Sequence, residues 1–244
     1  MLKMTRMRMV LVAGAMVLGA AAAQAALLGP HTVIGHTDDR SADDTDNDGV
    51  GDRTGPAGSE YSSVAEFSGG DTSGITVFSL PALDPGQSYG AATLTLYLNQ
   101  KWGTPSYNVD LYGLDRSPES STTVAAADYF SGTLDSNNTR IADNFATSST
   151  TIGAVTSTDG ALLTFLNANA PGGSGVNVFF RTSIDTDASG TQPGSTRGYR
   201  FSAADNTTAA ERPTLNVTVI PEPASLALLA LGAAVCLRRR RARA

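Results

Sequence analysis

The chain has 244 residues, 41% of them hydrophobic and 16% charged, with 17 Lys and Arg against 23 Asp and Glu. The imbalance is concentrated in residues 26–221, which hold 9 basic against 22 acidic side chains, a net of −13, while the other basic residues crowd the two ends. So acidic a body excludes nucleic acid, whose phosphates demand clustered cations, and the single cysteine, Cys236, excludes an intrachain disulfide.

In chain order, the first element is an export signal. Lys3, Arg6 and Arg8 precede an apolar run from Met9 to Ala23, and Ala23-Gln24-Ala25 offers small residues for a cut. Positive start, short apolar stretch and A-x-A site predict a signal peptide over 1–25. The run is shorter than the ~20 apolar residues that span a bilayer.

Residues 26–58 form an acidic segment around Asp44-Thr45-Asp46-Asn47-Asp48-Gly49-Val50-Gly51-Asp52. Carboxylates at alternate positions, then glycine at the sixth, wrap oxygens around a hard cation, because the glycine permits the sharp turn. Asp44, Asp46, Asp48, the carbonyl of Val50 and Asp52 are the candidate calcium ligands. The twelfth position, where an EF-hand has a bidentate Glu, is Gly55. The expected affinity is therefore weak, in the ~10⁻⁴–10⁻³ M range of extracellular modules. The spacing resembles a thrombospondin type-3 repeat. His31 and His36, the only histidines, lack the further ligands of a zinc site and read as surface residues.

Residues 59–220 alternate short apolar runs with Gly, Ser, Thr, Asn and Asp. Thr93–Leu98 places Leu94, Leu96 and Leu98 on one face and Thr95 and Tyr97 on the other, and Thr214–Val219 does the same with Leu215, Val217 and Val219. Period two with β-branched and aromatic filling means half-buried strands. Ile75–Leu80, Val109–Leu114, Val176–Arg181 and Tyr199–Ala203 are further strand candidates, and Asp84-Pro85-Gly86 is a turn. Ala161–Asn169 breaks the pattern: Leu162, Leu163, Phe165 and Leu166 recur at helical spacing. Many strands and one short helix predict an all-β, jelly-roll-like β-sandwich.

Within this body Trp102, Tyr97, Tyr107 and Tyr112 gather around the loop between two strands, as aromatic platforms for sugar rings do. They are the candidate ligand-binding residues, Trp102 first, and the alternative for the same rings is a second core layer of the sandwich. No G-x-S-x-G element is present, and most aspartates sit beside Gly, Ser, Thr or Asn as turn formers do, so no catalytic residue is assigned. A carboxylate-pair enzyme acting on polysaccharide and a protein-recognising adhesin remain as alternatives.

The tail reads Ile220-Pro221-Glu222-Pro223, then fourteen residues from Ala224 to Leu237, then Arg238, Arg239, Arg240 and Arg241. A helix of that length spans about 21 Å at 1.5 Å per residue, short of the ~30 Å hydrocarbon core. The arginines would hold its end in the cytoplasm. A transient inner-membrane hold is expected, with a cut near Pro221, Glu222 and Pro223.

This tail resembles the PEP-CTERM sorting signal over 220–243. The resemblance implies an exosortase-like processing enzyme in a Gram-negative bacterium that makes exopolysaccharide. The body resembles DNRLRE-type β-sandwich modules of secreted bacterial proteins, some classed as carbohydrate-binding. Ala91–Tyr97 matches their "SATLRLY" strand, Ile75–Leu80 their "FDLS" strand, and Phe201-Ser202 with Arg212-Pro213-Thr214-Leu215 their closing element. The expected organisation is therefore signal peptide 1–25, acidic segment 26–58, β-sandwich 59–220 and sorting tail 221–244. The expected role is a non-enzymatic surface or extracellular-matrix protein that contacts carbohydrate.

Overall fold

The computed structural model describes residues 28–46, 50–67, 70–129, 138–158, 160–169, 176–184 and 197–221. The predicted signal peptide, and the tail beyond Pro221, lie outside these residues.

Twelve strands run β1 Gly29–Ile34, β2 Arg40–Asp44, β3 Arg53–Thr54, β4 Tyr61–Phe67, β5 Gly70–Ser79, β6 Gln87–Trp102, β7 Val109–Leu114, β8 Asn138–Ala146, β9 Gly153–Ser157, β10 Asn177–Ile184, β11 Arg197–Ser202 and β12 Thr214–Pro221. Among the described residues one α-helix, α1, spans Gly160–Asn169. All pairings are antiparallel, in the order β1-β12-β6-β11-β4-β5-β10-β7-β8, with β2 beside β5, β3 beside β2 and β9 beside β6. The sheet curls on itself around its core: Phe145 of β8 and Phe201 of β11, far apart in strand order, meet with ring centroids 6.2 Å apart. The fold is all-β and jelly-roll-like, as the alternating runs predicted.

Leu94, Leu96, Leu98, Leu215, Val217 and Val219 are all buried, so the two clearest alternating runs face the core. The Asp84–Gln87 turn precedes β6 with Gly86 at φ 81° and Gln87 N–H donating to Asp84 O at 3.0 Å. Only glycine takes that backbone without strain, and proline before it presets the other half of a type II turn. The predicted helix forms and packs against β6 and β8. Phe165 lies edge-on to Phe180 at 5.5 Å, in space that Gly113 leaves open: a Cβ there would sit 2.5 Å from the Phe165 ring. Beyond the end of β9, Asn167 substitutes for a strand. Its Oδ1 accepts from Tyr89 N–H at 2.8 Å and its Nδ2 donates to Tyr89 O at 2.9 Å, pairing backbone groups that β9 does not reach.

A second cluster, of Ala42, Ile75, Val77, Leu114, Val124, Tyr129 and Phe179, covers the other face of β5 and β10. These two strands are consequently buried on both faces and lack the alternation of β6. β1, β2 and β3, drawn from the acidic segment, join the same sheet: β1 pairs with β12 and β2 with β5.

Candidate functional site

Successive side chains of a strand point to opposite faces, so Asp43 and Asp44 of β2 serve two different surroundings. Asp43 accepts from Thr72 Oγ1 at 3.1 Å and from Arg53 Nε at 3.0 Å. Asp44 is fully buried on the other side and begins the loop to β3. Within that loop Asp46 N–H donates to Asp44 Oδ1 at 3.3 Å, and Thr45 donates to Asp52 Oδ2 from its backbone at 2.7 Å and its hydroxyl at 2.6 Å. These bonds, the hydroxyl's first, hold the Asp52 carboxyl below its ordinary range. One carboxylate oxygen each from Asp44, Asp46 and Asp52 falls within 4.8 Å of the others. The loop is anchored where Gly51 presses against the Ala126–Asp128 turn; a Cβ there would overlap Ala126 O.

Three of the five predicted cation ligands thus converge. Val50 is in the same loop and exposed, while Asp48 lies outside the described residues. Asp71 and Glu66 carry no signal in the sequence. Asp44 is paired in register with Asp71 of β5, Asp71 with Glu66 of β4, and Glu66 with Arg197 of β11. Paired residues share a face, so three carboxylates line up across adjacent strands with one cation at the end of the row. Burial first, then Asp71, raises the Glu66 carboxyl, and Arg197 opposes the shift. No local signal could have revealed this row, because it depends on which strands pair.

The predicted aromatic platform divides. Tyr107 is buried, donates to Arg197 O at 2.8 Å and meets Tyr199 edge-on at 5.7 Å. Tyr112 is fully buried and bonds Asp110 at 3.1 Å. Both are core residues with no face open to a ligand. Tyr97 is half-buried and sits opposite Ala154 of β9. Trp102 alone reaches a groove, of about 520 Å³, whose lining also includes Tyr61, Phe67, Arg200, Ser63 and Asp43. It gets there through a bulge. The register of β6 against β11 skips Asn99, which reverses the facing of the residues beyond it. Leu94, Leu96 and Leu98 point inward, whereas Gln100 and Trp102 point outward. The indole lies on Gly198, where a Cβ would be 2.5 Å from its Cζ2. The Arg200 guanidinium stands 5.4 Å from the Trp102 ring and 5.3 Å from Tyr61. Tyr61 and Arg200 have no local signature, since their strands pair with each other across long sequence separation.

His31 is half-buried on β1 opposite Val217. The Nδ1 of His36 accepts from Asp38 N–H at 3.2 Å. Neither joins a metal-ligand cluster among the described residues.

At the C-terminal end, Val219, Ile220 and Pro221 close β12 against Tyr89, Ser88 and Gln87 of β6. The family model for the PEP-CTERM protein-sorting motif matches residues 219–241. The chain carries a PEP-CTERM sorting signal. It is therefore an exported protein sorted to the envelope, and the motif implies processing by an exosortase-type membrane enzyme. No curated protein matches the chain. Of the sorting residues, Pro221 belongs to β12, while Glu222, Pro223 and Arg238–Arg241 lie beyond the described residues.

Proposed function

We propose that the exported body is a non-enzymatic surface or matrix module that contacts exopolysaccharide through the Trp102 groove and is braced by calcium in the β2–β3 loop. The observation that carries this reading is the groove itself. An indole and a phenol ring flank a guanidinium, with serines, a threonine and Asp43 around them. Sugar sites combine apolar ring faces with a few fixed polar groups in this manner.

Binding is favoured over hydrolysis by the carboxylates. Glycoside cleavage requires two acidic groups flanking one bond, and among the described residues Asp43 is the one carboxylate lining the groove. Its partners are Arg53 and Thr72. Glu66 and Asp71 are a closely opposed pair, but they occupy the opposite face of β4 and β5 from groove-lining Ala65, Phe67 and Thr72. Calcium is supported by the convergence of Asp44, Asp46 and Asp52 and by the row that Asp71 and Glu66 add to it. Opposed like charges destabilise a sheet, and a divalent cation offsets them. After transient retention at the inner membrane and cutting near Pro221, the product is placed at the cell surface or in the matrix.

Pull-down of residues 26–220 with the host's exopolysaccharide tests the reading, with Trp102→Ala as the comparison. Retention lost in the variant, at unchanged melting temperature, supports it. Equal retention of both proteins, or none of either, removes carbohydrate contact at this groove.

A further inference from the structure

We propose that the membrane-held precursor stands on the bilayer on one pole of its fold, the pole where β1 begins and β12 ends, with the Trp102 groove directed away. This rests on the sorting signal that the tail carries.

β1 and β12 are antiparallel neighbours with Gly29 opposite Val219. The chain therefore enters and leaves the body at the same place, about 4.8 Å apart across the ladder. Both segments that the sequence assigns to membrane handling attach there. The sorting match begins at Val219, which is 2% exposed and part of the main core. No spacer separates the core from the signal. Ile220 and Pro221 are still paired with Ser88 and Gln87, and Gln87 is tied to Asp84 through the preceding turn. A body held this closely cannot tumble freely above the membrane.

The pole's chemistry suits that contact. Residues 28–31, 84–90 and 217–221, at this end of the ladder, together contain one acidic side chain, Asp84, and no Lys or Arg, in a body of net charge −13. An anionic leaflet would repel the rest of the surface, but not this part. Leu28 and Ile220 are two of the five exposed large apolar side chains among the described residues, and the Gly29–Val219 pairing places them side by side. Ile220 lies across Gly90, 2.7 Å from where a Cβ would be. β6 then runs from Gln87 at this pole to Trp102, up to about 50 Å away at ~3.3 Å per residue, so the groove sits at the far end of the same strand.

The test uses the full-length precursor, uncut, with Cys236→Ser, in phosphatidylethanolamine–phosphatidylglycerol vesicles containing a headgroup spin-labelled lipid. A fluorophore is attached through Ser88→Cys in one protein and Ser106→Cys in another, with Pro85→Cys as a second report from the pole. Quenching several-fold stronger at positions 88 and 85 than at 106 is expected, and a long Gly-Ser insertion after Pro221 should abolish the difference. Equal quenching at both ends, stronger quenching at 106, or indifference to the spacer would overturn the orientation while leaving the sorting reading intact. A precursor that does not float with the vesicles overturns both.

Discussion

Asp44 of β2 lies directly across the ladder from Asp71 of β5. Two carboxylates in that relation repel, and the cost grows with burial. With Glu66 opposite Asp71 and Asp46 and Asp52 beside Asp44, the region gathers negative charge where the fold brings strands together.

Calcium should therefore raise the melting temperature of residues 26–220. At a dissociation constant of ~10⁻⁴–10⁻³ M, 10 mM calcium supplies about 1.4–2.7 kcal/mol, or about 3–10 °C for a domain of this size. Asp46→Ala with Asp52→Ala should erase the shift. Asp71→Asn should stabilise the calcium-free protein and reduce the gain on adding the ion. Differential scanning calorimetry with calcium and with chelator checks all three, and a calcium-independent melting temperature would remove the cation site.

Trp102 is the only tryptophan, so its emission reports on the groove alone. Adding exopolysaccharide that binds there should change the emission intensity or wavelength. Gly198→Ala should displace the indole, since the new Cβ would sit 2.5 Å from Trp102 Cζ2 and 2.7 Å from Val64 O. Overpacking of this kind costs about 1–3 kcal/mol. Fluorescence titration should show weaker binding than in the parent protein, with a red-shifted emission before any ligand is added.

Asp39 is wholly buried in the bend between β1 and β2, where its Oδ1 accepts from Val77 N–H at 2.6 Å. Burial pushes its carboxyl well above the usual value of 3.8, against the pull of backbone bonds from Val77 and Ala204, and Asp205 and Asp38 add to the rise. A raised folded-state value means that the native state holds the proton more tightly than the unfolded chain. The stabilisation is complete below about pH 4 and is lost as pH rises through the folded-state value. Asp39→Asn, which cannot ionise, should be more stable than the parent at pH 7, with the difference shrinking towards pH 4. Urea unfolding across that range measures it, and a difference independent of pH would show that Asp39 ionises freely in the fold.

Asn167→Ala should destabilise by about 1 kcal/mol, because it removes both part-buried bonds to Tyr89 N–H and C=O. Asn167→Asp should lose at least as much at neutral pH, because it keeps the acceptor for Tyr89 N–H but turns a carboxylate oxygen towards the Tyr89 carbonyl. Chemical denaturation distinguishes them.

Local patterns are legible in the amino-acid order itself. The leucine alternation in β6, the β12 run, the Asp-Pro-Gly turn and α1 are all carried by neighbours a few residues apart, whose period follows from strand and helix geometry. The PEP-CTERM tail is equally legible, since its motif is carried by consecutive residues, 219–241, and depends on no strand pairing. Strands β1, β4, β8 and β9 give no such sign; polar and small residues fill them, and their place depends on partners elsewhere in the chain. β5 and β10 hide their extent for the opposite reason, being covered on both faces.

The acidic loop is visible as a motif, but Glu66 and Asp71 reach it only through pairings spanning β4, β5 and β2. Trp102 stands out by its surroundings in sequence, yet a single skipped residue at Asn99 sets which way it faces. Tyr107 and Tyr112, indistinguishable from it in type and proximity, are drawn into the core. Pairing register is a cooperative outcome of burying one face, so composition and spacing locate the candidate residues, while the sheet's closure chooses which of them face solvent together.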